Sequence, residues 1–150
     1  MIIWIASYPK SGNTWIRSFI TAYYFCENGI FDINKLSLIE DYPNKQFFRE
    51  KVKQGEIHKH WETSQKRIRD QKKVKFLKTH NSLITAFGND FTKPEYSLGV
   101  IYVIRDPRNV ITSVKNHNDL DSYDQALKFM QDENKVLEDY PHLKNYAKTN

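Results

Sequence analysis

The first 25 residues constrain the fold most. Ile2-Ile3-Trp4-Ile5-Ala6 is a short unbroken apolar run, the pattern of a strand buried on both faces. A turn-prone segment, Pro9 to Asn13, leads into an amphipathic helix predicted from about Thr14 to Phe25, with Ile16, Phe19, Ile20 and Tyr23 facing the sheet. Strand, tight loop and helix make the opening half of a parallel βαβ unit. Gly12 removes a side chain where backbone must approach an oxyanion, and the amides after it would point at the ligand with the helix dipole behind them. Lys10 adds a mobile positive charge, and Ser11, Asn13 and Thr14 add neutral donors. The lysine precedes the glycine, so this is not the G-x-x-x-x-G-K-[ST] loop of nucleotide hydrolases and kinases. A short Lys-Ser-Gly alone would read as a polar turn with a helix cap; the whole of Ser7 to Trp15 at a strand–helix junction favours an anion site.

Further along, residues 27–56 give little pattern beyond a turn at Asp41-Tyr42-Pro43-Asn44 and a short helical face of Phe47, Phe48 and Val52. A charged helix is predicted from about Ile57 to Lys72, with Lys66, Arg69 and Lys73 on a solvated face. Val74 to His80 reads as a second strand, with Val74, Phe76, Lys78 and His80 on one side by alternation. Leu98 to Ile104 is nearly unbroken in apolar residues and reads as a third. It ends at Arg105-Asp106-Pro107, where Asp106 can cap a helix and Pro107 fits the first turn. Val110, Ile111 and Val114 form that helix's buried stripe. A last helix opens at Ser122 to Gln125 with capping-box spacing and carries Ala126, Leu127, Met130 and Leu137.

Strands alternating with helices predict an α/β sandwich with a mostly parallel sheet. Ligands of such sheets collect at the carboxyl ends of the strands. Three polar groups fall at those ends: Lys10 to Thr14, Lys78 to His80, and Arg105 to Ser113. Arg105 offers a planar fork for a phosphate at a strand end, and Ser113 a hydroxyl nearby on the second turn of the next helix. His80 has the residue type that accepts a proton near neutral pH.

Composition sets outer limits. With 150 residues, 39% hydrophobic and 27% charged, the chain is long enough for one domain with a real core. A net charge of +5 suits an anionic partner without requiring one. The single cysteine, Cys26, excludes an internal disulfide framework and a cysteine-rich zinc site. No segment reaches the roughly 18 apolar residues of a membrane span. The N-terminus has no basic region of the kind that opens a signal peptide, so the expected location is the cytoplasm. His58-Lys59-His60 lacks a matching set of carboxylates or thiols, and no metal is expected.

Tyr8-Pro9-Lys10-Ser11-Gly12-Asn13-Thr14-Trp15 resembles the 5′-phosphosulfate-binding loop of the sulfotransferase family, with Asn13 where the usual form has threonine. The strand ending in Arg105, followed by a helix carrying Ser113, resembles that family's 3′-phosphate motif. Lys78-Thr79-His80 is similar to its catalytic segment, although Asn81-Ser82 departs from the Leu-Pro common in the cytosolic branch. The resemblance implies a P-loop-like three-layer sandwich using 3′-phosphoadenosine 5′-phosphosulfate as co-substrate, without a metal. Lys10, Ser11, Gly12, Asn13, Thr14, Trp15, Arg105 and Ser113 would bind it, with Trp15 near the adenine. Catalysis would fall to His80 as general base and to Lys10 and Lys78 at the transferring group. The acceptor that the resemblance implies is a small molecule or glycan bearing a hydroxyl or amine, with no nucleic-acid partner.

Sulfotransferases resembling this sequence run longer and carry a basic, glycine-containing stretch near the C-terminus; here no glycine follows Gly99. The expectation is therefore one domain over residues 1–150, the N-terminal nucleotide-binding portion of a truncated member, whose exposed sheet edge would invite oligomerisation. Two rivals stand beside this reading. One is a P-loop-type nucleotide kinase. The other is a non-catalytic module binding a nucleotide or nucleic acid.

Overall fold

The apolar run at the N-terminus forms the second strand from one edge of a parallel sheet. In this computed structural model, which describes residues 1–48, 52 and 55–132, β1 (Ile2–Ser7) lies between two parallel neighbours. The other strands of this sheet are β2 (Glu40–Asp41), β3 (Lys75–Thr79) and, numbered after the hairpin, β6 (Ser97–Val103). A small antiparallel hairpin supplies β4 (Thr85–Ala86) and β5 (Asn89–Asp90). The sheet order is β2-β3-β1-β6, and every pairing in it is parallel. Four helices accompany it: α1 (Asn13–Phe25), α2 (Trp61–Asp70), α3 (Pro107–His117) and α4 (Tyr123–Gln131). No helix among the described residues is long and apolar enough to cross a membrane.

Two-residue alternation in β1 feeds two cores. Ile2 and Trp4 join Leu77, Tyr42, Trp61, Ile68 and Phe91 on one side. Trp4 meets Tyr42 and Phe91 at ring-centroid distances of 5.3 Å, edge-on to the first, as aromatic quadrupoles favour, and tilted to the second. Ile3 and Ile5 pack on the other side with Phe76, Ile39, Ile16, Ile20 and Phe25. Burying one such side chain contributes about 1.5–3 kcal/mol. Gln65 is fully buried in the first core, and its amide is satisfied there. Its nitrogen donates to the Phe91 carbonyl at 2.6 Å, and its oxygen accepts from the Thr92 hydroxyl at 2.6 Å.

α1 reverses part of the expectation. Ile16 and Ile20 face the sheet, but Phe19 and Tyr23 are 64% and 79% exposed. The inner line is instead Asn13, Arg17 and Thr21, spaced by four. Asn13 and Arg17 sit inward because their hydrogen bonds are made there: Asn13 to Ile5 and Ser7, Arg17 to the carbonyls of Leu36 and Ile39. Specific polar bonds thus displaced Phe19 and Tyr23 from the place that hydrophobic periodicity gave them.

The strand expected from Leu98 to Ile104 is present as β6, one residue earlier at each end. It is not buried, however. With β1 as its neighbour it stands at the end of the four-strand order, and Leu98, Val100 and Tyr102 are exposed. β3 begins at Lys75, leaving Val74 exposed and His80 just past the strand end. The predicted helix from Ile57 splits into a 3-10 turn, Ile57–His60, and α2. Both predicted caps are made: Asp106 accepts from the Arg108 amide at 2.9 Å, and Ser122 from that of Gln125 at 3.2 Å. Leu137, assigned to the last helix, lies outside the described residues.

Candidate active site

β1, β3 and β6 end side by side, and the side chains and loops at those ends touch. Ser7, buried at the end of β1, opens the anion loop. Gly12, the residue before α1, takes φ 101° and ψ 18°. This is left-handed backbone, which glycine adopts without a Cβ penalty. A Cβ there would meet nothing within 4 Å, so the backbone angle requires glycine while the space above it is open. Lys10 is also left-handed, at φ 66°, which costs a residue with a side chain about 1–3 kcal/mol. The first turn of α1 carries no acidic residue and no side-chain cap. Its positive end is therefore uncompensated by the protein.

Ser11 and Asn13 are buried, whereas Thr14 and Trp15 are exposed, Trp15 at 72%. Asn13 was expected to offer its side chain to an anion. Its amide nitrogen instead donates to the Ile5 carbonyl and the Ser7 hydroxyl, each at 3.1 Å. It pins the loop to the strand below it. What Asn13 can direct outward is its backbone N–H, as a helix N-terminal residue does.

His80 Nδ1 lies 2.8 Å from the Ser7 carbonyl oxygen and 3.3 Å from its hydroxyl. A carbonyl only accepts, so Nδ1 carries the proton in the neutral ring and Nε2 is the basic nitrogen. The imidazole is thereby fixed to the first residue of the anion loop. Arg105 is tied to the same loop from β6: its Nη1 donates to the Lys10 carbonyl at 3.1 Å. This bond ties the Lys10 backbone to the residue two past β6 and brings the second predicted motif against the first. Ser113 sits half-buried on α3.

Lys78, expected at the transferring group, is held in an ion pair here. Its ammonium lies 3.2 Å from Asp41 Oδ2, and Arg17 lies 3.4 Å from Asp41 Oδ1. Burial draws the Arg17 guanidinium below its usual pKa, with Asp41 opposing that shift. Sequence reasoning missed Asp41 and Arg17, the first because it sits in a segment read only as a turn. Lys78 meets Asp41 through the β2–β3 register, in which the two are opposite, and Arg17 reaches it from α1.

A cavity of about 610 Å³ opens beside His80 on the α2 side of the sheet. Trp4, Leu83, Phe91, Val100 and Tyr102 give it apolar walls, and Tyr8 and His80 border its upper end. Its Thr92 and Ser97 hydroxyls are linked at 2.8 Å, and Ser97 also accepts from the Trp4 indole at 2.8 Å. Of the nearby aromatics, Phe91 lines the cavity, whereas Phe48 and Tyr96 are core and Phe87 is exposed. Away from the strand tips, His58 is buried with its ring 4.9 Å from Phe87, and burial followed by Lys59 lowers its pKa. His142 lies outside the described residues.

A parallel sheet whose first strand runs through a left-handed loop into an uncapped helix, with an arginine and a histidine fastened to that loop, defines a P-loop-like α/β enzyme acting on an anionic group. The chain belongs to the sulfotransferase family: the sulfotransferase domain matches residues 2–148. No curated protein matches the chain. It is a sulfotransferase, and its reaction class is the transfer of a sulfuryl group.

Proposed function

We propose that the donor is 3′-phosphoadenosine 5′-phosphosulfate and that His80 is the general base. The contact between His80 Nδ1 and the Ser7 carbonyl carries this reading, because it puts the ring's proton on Nδ1, against the first residue of the anion loop, and makes Nε2 the basic nitrogen. The uncapped start of α1, the open space above Gly12 and the freedom of the first turn from acidic residues fit a phosphosulfate. Lys10, Ser11, Gly12, Asn13 and Thr14 would hold it, Asn13 through its backbone. Arg105 and Ser113 would take the 3′-phosphate, and exposed Trp15 would stack on the adenine. Residues 1–150 are on this reading the nucleotide-binding portion of one sulfotransferase domain.

The acceptor enters the cavity with its hydroxyl or amine toward His80. Nε2 takes the acceptor's proton as the acceptor atom bonds to sulfur. The bond from sulfur to the bridging oxygen breaks, and that oxygen leaves with the nucleotide's 5′-phosphate, Lys10 and Lys78 balancing its charge. Catalysis rests on positioning and preorganised positive charge, as in phosphoryl transfer.

Calorimetry with 3′-phosphoadenosine 5′-phosphate and with ATP, each with and without magnesium, tests the donor. Magnesium-independent binding of the bisphosphate supports it; preference for ATP overturns it.

A further inference from the structure

The cluster of Arg17, Asp41 and Lys78 has one carboxylate for two cations, and it lies beneath the first turns of α1. Arg17 does not depend on that carboxylate, because its guanidinium also donates to the carbonyls of Ile39 at 2.7 Å and Leu36 at 3.3 Å. Lys78 does: among the described residues Asp41 is its hydrogen-bond partner, at 3.2 Å. The pairing is set by backbone. Asp41 is opposite Lys78 in the parallel β2–β3 ladder, so both side chains leave the sheet on the same face. Lys78 is two residues before His80, and Ile5, its partner on the other side, is two residues before Ser7. The Lys78 backbone is thus two residues below the point where the imidazole meets the anion loop, and its ammonium is drawn to Asp41 on the neighbouring β2.

We propose that Asp41 is an internal counter-ion that competes with the bound nucleotide's anionic groups for Lys78, and so governs how tightly the product is held. The proposal rests on the donor assignment above. With the site empty, Asp41 neutralises Lys78 and the cluster keeps a single net positive charge. An arriving anion takes over that neutralisation, and the Asp41–Lys78 contact is given up. When the sulfuryl group has left, Asp41 recaptures the ammonium and favours release. Asp41 touches no reacting atom on this reading; it acts through Lys78, and coupling of this kind is reciprocal between the ion pair and the ligand. The side chains of Lys78 and Arg17 are 15% and 13% exposed, dry enough for the exchange to matter, whereas Asp41 at 40% can turn to water when released.

The test measures the Kd of 3′-phosphoadenosine 5′-phosphate for the wild type, Asp41→Asn, Lys78→Met and the double variant, with Asp41→Glu as the charge-restoring control. Asp41→Asn is expected to tighten binding about tenfold, the scale of one charged hydrogen bond. It should lower kcat and donor KM together as product release slows. The tightening should vanish in the Lys78→Met background, and Asp41→Glu should return Kd toward the wild-type value. Equal weakening by Asp41→Asn in both lysine backgrounds, or no change in either, overturns the proposal and leaves Asp41 a support for the fold. Acylation of Lys78, read by mass spectrometry without nucleotide, separates this from failure of the donor assignment. Faster labelling in Asp41→Asn is expected even if the bisphosphate does not bind, and an unchanged rate overturns the ion-pair role.

Discussion

The Nδ1 of His80 and the carbonyl oxygen of Ser7 are 2.8 Å apart, so the residue that ends β1 also sets the tautomer of the imidazole beyond β3. A backbone acceptor cannot be lost by substitution, and its position follows from the β1–β3 register. Removing the ring leaves in place the β1–β3 register that positions Ser7. His80→Ala is expected to lower kcat by about 100-fold or more, the range for a lost general base. Affinity for 3′-phosphoadenosine 5′-phosphate should stay near the wild-type value. Undiminished turnover would take His80 out of the mechanism.

Lys10 sets function against stability. Its φ of 66° is strained for a lysine and costless for a glycine, and the bond from Arg105 to its carbonyl uses only backbone. Lys10→Gly should therefore raise stability by about 0.5–1 kcal/mol in chemical denaturation while weakening bisphosphate binding at least tenfold. Gly12→Ala is the converse. Nothing crowds its Cβ, so its cost is the backbone angle alone, about 1 kcal/mol or slightly more. Loss of stability in Lys10→Gly would show that the left-handed turn carries no strain.

These two residues also mark how far the sequence could be read. The strand–loop–helix and the caps at Asp106 and Ser122 were legible because each rests on neighbours within a few positions, where local pattern decides the geometry. α1 was legible as a helix but not in its orientation. Apolar spacing nominated Phe19 and Tyr23 for the sheet, whereas Asn13 and Arg17 took the inner line through bonds to Ile5, Ser7, Leu36 and Ile39. Three of those partners are backbone carbonyls, which no side-chain pattern records. Asp41 was illegible for a related reason: its meeting with Lys78 spans 37 positions and depends on a two-residue strand.

Alkaline pH should expose the aromatic core. Tyr42 is buried, its hydroxyl bonded to Ser64 at 2.7 Å, and burial pushes its pKa well above that of a free tyrosine. The unfolded chain ionises Tyr42 near pH 10, whereas the folded chain keeps the proton. The native state then binds more protons than the unfolded state, so this contribution is full below pH 10 and is lost as pH rises above it. Tyr42→Phe should cost about 1–3 kcal/mol at neutral pH, because Ser64 and Gln65 lose a partner. It should also flatten the fall in stability above pH 10. Urea unfolding of both proteins from pH 7 to 11 reads the two effects, and parallel curves would show that another group dominates the alkaline loss.

On the proposed reading the cavity beside His80 takes the acceptor while the anion loop takes the donor, and the two meet at Ser7, Tyr8 and the imidazole. Val100 is 62% exposed on β6 and faces the cavity from a strand whose register is held by β1. A larger or charged side chain there occupies space without entering the core, so the fold should tolerate Val100→Trp and Val100→Arg. Both are expected to lower kcat/KM for an accepted alcohol about tenfold or more through lost room. Donor KM and bisphosphate Kd should stay within about twofold of wild type, well under the tenfold that 1.4 kcal/mol represents. Arginine should cost more than tryptophan with an apolar acceptor, since it brings an uncompensated charge among Trp4, Leu83 and Phe91. Equal loss of donor affinity in both variants would mean that the cavity belongs to the nucleotide, and the acceptor would then have to approach His80 from the α1 side of the sheet.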